Sequence, residues 1–145
     1  MNYNSLLACD LMSGTGFLGL MYIAFFKNLV GLDLYILLYL FTGLGVYFYG
    51  RIIQNQLYYE IYHYLLIIIF IMMPFITTNI NLLFWHLTFI FLTMATRRIF
   101  DGCIISQVER NPLEHKTKLT EWFNSDIIFT GLGLITIYNL YSLSN

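Results

Sequence analysis

Long apolar runs alternate with short polar breaks along the chain, and five of the runs approach the length of a membrane-spanning helix. A hydrocarbon core about 30 Å thick takes about 20 residues, each rising about 1.5 Å. The runs at 6–26, 32–50, 58–77, 81–96 and 126–141 therefore predict α-helical spans. Arg51 closes the second, and Arg97 with Arg98 closes the fourth. Pro74 falls in the last turn of the third, where its ring excludes one helical hydrogen bond. Asn79, in the short break before the fourth, is placed to cap that helix. The fifth run opens at Ser125 or Asp126 and is short for a full crossing, so the pattern predicts four or five spans.

Between the fourth and fifth runs lies the most polar stretch, 97–124. It reads as a juxtamembrane amphipathic segment, broken at Asn111-Pro112 and ending near Trp122, a residue type enriched at headgroup level. The expected architecture is all-α: one membrane domain over 1–145, a polytopic bundle with this segment at its surface.

Composition strengthens the membrane assignment. The chain is 59% hydrophobic and only 10% charged, whereas a soluble domain carries about 25% charged residues. A water-exposed domain this small could not hide so much apolar surface. A bilayer can solvate it, but backbone groups must then be satisfied internally, by helices or a closed barrel. Barrel strands alternate polar and apolar positions, while Tyr64 to Met73 is apolar without a break.

Charge supplies the topology. Arg51, Arg97, Arg98, Arg110, Lys116 and Lys118 fall in loops that alternate spans place on one side; Lys27 falls on the other. The bias of basic residues toward the cytoplasm-like side assigns it both loops and the N-terminus. A net charge of −1 gives no electrostatic case for nucleic acid as a partner. The first residues lack the basic region of a secretory signal, and no arginine-rich transit peptide is expected. Alanine occurs only at Ala8, Ala24 and Ala95 amid many Ile, Asn, Tyr and Phe, a bias expected of an AT-rich genome.

Few residues carry chemistry. Gly14, Gly16 and Gly19 have the spacing of a dinucleotide loop, but that loop needs a preceding strand. Inside an apolar run they read as a helix-packing face. Phe41-Thr42-Gly43-Leu44-Gly45 recurs as Phe129-Thr130-Gly131-Leu132-Gly133, and close helix approach is preferred to an inverted repeat. Glu60 and His63 form half of a di-iron motif with no second half, so an interfacial Glu–His hydrogen bond is expected. His63 and His86 are the candidates for haem or quinone, although they enter from opposite membrane faces and differ in depth. Asp10 and His86 are the ionisable residues set within spans, where burial is costly and function is the default hypothesis. Cys9 and Cys103 could pair or serve as packed hydrophobes. Arg97, Arg98, Asp101, Cys103, Ser106, Glu109 and Arg110 make the densest polar group, read as salt bridges at the membrane surface or as contacts to anionic headgroups.

Within that group, Cys103-Ile104-Ile105-Ser106-Gln107-Val108-Glu109 follows the helix that contains His86. The pattern resembles small, functionally uncharacterised multi-helix membrane proteins of bacteria and large DNA viruses. In those, a membrane histidine precedes Cys-x-x-Ser/Thr-x-aliphatic-Glu. The bacterial form has proline after the cysteine, where this chain has Ile104. The resemblance implies that His86, Cys103, Ser106 and Glu109 form a unit, and implies no reaction.

The expected role is a non-catalytic structural or accessory subunit of a large membrane assembly, either a virion internal membrane or an organellar respiratory-type complex. Its partners would be the bilayer and other membrane subunits, without a cofactor. The alternative is a subunit that contacts haem or quinone, or lines a proton path, through His86, His63 or Asp10.

Overall fold

A computed structural model describes residues 3–100 and 125–145, and every element among them is an α-helix. These are α1 (Tyr3–Phe26), α2 (Leu32–Ile53), α3 (Leu57–Ile76), α4 (Ile80–Ile99) and α5 (Ser125–Ser144). All five are long and apolar enough to cross a membrane, so the chain is an all-α, multi-pass membrane protein. Four helices outrun the sequence pattern: α1 begins earlier, at Tyr3, and α2, α4 and α5 end later, at Ile53, Ile99 and Ser144. In α5, Ser144 Oγ donates to the Leu140 carbonyl at 2.6 Å, so a polar side chain is satisfied within the helix. Helix α2 passes Arg51 and ends at Ile53, because that arginine turns to a partner on α1 instead of ending the span. The amphipathic segment expected at 97–124 lies outside the described residues from 101 onward.

Connections 27–31, 54–56 and 77–79 are too short for anything but antiparallel neighbours. α2 packs most extensively on α3 and α4 on α5; α1 touches both α2 and α4, while α5 also reaches α3. One end of the bundle thus gathers the ends of α2 and α4, with Arg51, Arg97 and Arg98 in their last turns. Lys27 follows α1 at the opposite end. The helical directions agree with the charge asymmetry of the sequence.

Local chemistry explains the turns. Asn79 Oδ1 accepts from the amides of Asn81 and Leu82 at 3.0 and 3.3 Å, the cap its position predicts. At the other end of α3, Gln54 occupies the left-handed region with φ 53° and ψ 37°. For a residue with a side chain this costs roughly 1–2 kcal/mol, which glycine avoids. Nearby Gly50 is buried where α2 meets α3: a β-carbon there would lie 2.6 Å from Tyr58 Cβ.

The glycine run of α1 is a packing face, as its sequence implies, but only in part. Gly16 lies under Phe89, Gly19 meets Trp85, and Gly14 meets nothing within 4 Å. Trp85 Nε1–H donates to the Gly16 carbonyl at 3.2 Å, and its ring stacks on Phe89 with centroids 4.5 Å apart. A β-carbon on Gly16 would come within 2.5 Å of a Phe89 ring that is 2% exposed. Alanine favours helices by about 1 kcal/mol over glycine, yet overpacking costs about 1–3 kcal/mol. Gly16→Ala should therefore lower the thermal midpoint in detergent while Gly14→Ala leaves or raises it. Equal behaviour of the two variants would contradict the α1–α4 packing. The repeated Phe-Thr-Gly-Leu-Gly segment buries Gly43 near Tyr62 and Leu65, whereas its second copy brings Gly133, not Gly131, toward Ile90. The copies use different glycines.

The outer face suits hydrocarbon. Ile52, Phe25 and Val30 are 80%, 74% and 77% exposed, an exterior that water would not tolerate and lipid solvates. Exposed Thr15, Thr42, Thr88 and Thr130 each donate to the carbonyl four residues back, at 2.7–2.8 Å. Their hydroxyls reach the lipid already satisfied.

Candidate functional site

Polar side chains inside the bundle gather at two levels. The first is at the arginine end. Asp10 sits one turn into its span on α1, and Arg51 lies half a turn before the end of α2. Both are thus within roughly 6 Å of the same membrane face. The guanidinium binds the carboxylate through two bonds, Nε to Oδ1 at 2.8 Å and Nη2 to Oδ2 at 2.9 Å. Each side chain is about one-third exposed, at 33% for Arg51 and 31% for Asp10. Tyr47, fully buried on α2, donates its hydroxyl to the same Oδ1. The Tyr47 ring contacts Tyr59 and Tyr62 of α3, with centroids 5.6 and 5.0 Å away. Tyr62 and Ser13 share a buried hydrogen bond of 3.3 Å. Three helices are joined through one carboxylate and a tyrosine cluster.

Outside this cluster opens a cavity of about 330 Å³, lined by Arg51, Gln54, Gln56 and Tyr59. Among the described residues, each one lining it has a hydrogen-bonding group and none is acidic. Arg51 thus lines the cavity with its charge already compensated by Asp10.

The second level is set by a proline. Pro74 has no N–H, so the Phe70 carbonyl four residues back loses its helical donor. His86, wholly buried on α4, takes that place: its Nε2 lies 3.0 Å from Phe70 O. A carbonyl can only accept, so Nε2 carries the proton. Nδ1 faces Thr136 Oγ1 of α5 at 3.0 Å, and that hydroxyl also lies 2.8 Å from Leu132 O, so one proton serves two acceptors. One turn along α5, Asn139 Nδ2 donates to the Pro74 carbonyl near the end of α3. Both Thr136 and Asn139 dock α5 onto carbonyls or side chains grouped around Pro74.

The candidates from the sequence divide accordingly. Asp10 is paired, and both ring nitrogens of His86 are engaged within the bundle, so iron ligation would first require breaking one of these bonds. His63 is half-buried on α3, seven residues before Phe70. That separation puts it roughly 10 Å along the helix from the level of His86. The two do not meet. Glu60 is half-buried one turn earlier. Arg97 Nε pairs with Asp126 of α5 at 3.2 Å, an exposed contact between a helix end and a helix start. Arg98 is exposed. Asp101, Cys103, Ser106, Glu109 and Arg110 lie outside the described residues, as does any pairing of Cys103 with Cys9. Cys9 itself is buried in the core at 1% exposure. Among the described residues no group of three or more His, Cys, Asp and Glu is placed to hold a metal ion.

Sequence reasoning missed Arg51 as the partner of Asp10, and with it Tyr47, Tyr59, Tyr62 and Ser13. Counting depth from one membrane face would have matched the two charges. Thr136 and Asn139 carried a weaker signal: two polar residues three apart in an apolar run share a helix face. No protein-family model matches the chain, and no characterised protein or solved structure is measurably similar to it.

Proposed function

We propose that this protein is a non-catalytic structural subunit of a larger membrane assembly, such as a virion internal membrane or an organellar respiratory-type complex. The observation that carries this reading is where the polar groups go. Asp10 with Arg51, Ser13 with Tyr62, Asp33 with Thr77, His86 with Phe70 and Thr136, and Asn139 with Pro74 each tie one helix to another. These side chains are used to hold the bundle together rather than arranged around a reacting group. The outer surface supports a lateral role. In α5 only 17% of the span is buried, and Ile127, Leu134, Tyr138 and Tyr141 project outward. Such aromatic and branched residues offer contact area to neighbouring helices as readily as to lipid.

The test is extraction in mild detergent, then native-gel separation with mass spectrometry and a visible absorption spectrum on the band holding this chain. Migration in a large complex without a chromophore is the expected result, and the co-migrating proteins identify the membrane. Migration alone, or a Soret band lost in His86→Ala, would sink the structural reading and turn attention to haem.

A further inference from the structure

We draw no further inference here: the strongest candidate, the outward face of α5 that carries Ile127, Leu134, Ile137, Tyr138 and Tyr141, is an apolar surface, and nothing in the structure shows what covers it.

Discussion

His86→Leu should cost the bundle about 2–4 kcal/mol, from a buried carbonyl left without a donor and a partly refilled core position. The effect is large because Pro74 has already taken the Phe70 carbonyl out of the helical ladder. In hydrocarbon no water can replace His86 at that oxygen. Thr136 would also lose Nδ1, leaving Asn139 as the polar tie between α5 and α3. Pro74→Ala restores an N–H opposite Phe70 O, so it should recover at least about 1 kcal/mol in the His86→Leu background and contribute little or nothing in the wild type. Denaturant titration of the four proteins in one detergent, followed by circular dichroism, closes the cycle. Additive effects would show that His86 and Pro74 do not share that carbonyl. The cycle also separates a structural histidine from a cofactor ligand, because removing a proline cannot restore a bond to iron.

The helices were legible and their partners were not, for a physical reason. A bilayer demands about 20 apolar residues per crossing whatever the neighbours are, so α1 to α4 could be read within a few residues of their observed bounds. The fifth was under-read because Ser142 and Ser144 look like a polar end; a serine that bonds back into its own helix does not have to stop it. Asn79 was legible as a cap because capping is local, with donors two and three residues away. Asp10 and His86 were legible as residues of consequence, since burial of either requires a partner. Which partner each takes depends on helix rotation, and that is set by packing such as Phe89 over Gly16 and Tyr58 over Gly50. A heavily apolar helix exposes little periodicity from which rotation can be read. The same limit explains the histidines: depth counting kept His63 and His86 apart correctly, but could not show that the Phe70 carbonyl, left without a helical donor by Pro74, waited for His86.

Depth counting also shapes the expected result at the arginine end, where the two members of the ion pair should prove unequal. Arg51→Ala is expected to cost about 2–3 kcal/mol, and Asp10→Asn only about 1 kcal/mol or less. Asp10 stands one turn inside the span on a short side chain. Once Arg51 is gone it keeps the Tyr47 hydroxyl, but its charge is stranded in apolar surroundings. Arg51 stands nearer the surface on a long stem, so after loss of Asp10 the guanidinium can extend to water or headgroups. Asparagine at position 10 also still accepts from Tyr47. Combining the two changes should therefore be less damaging than Arg51→Ala alone, since no unpaired carboxylate remains. The measurement is a double-mutant cycle in detergent, with a coupling of at least about 1 kcal/mol expected. A pair lying wholly in water would give symmetric losses of under about 1 kcal/mol and a salt-sensitive coupling. That outcome would place Asp10 outside the membrane and shift the first span toward its C-terminal end. The asymmetric outcome fixes the depth of α1 against α2, and with it the level of the membrane face on which Gln54 and the cavity lie.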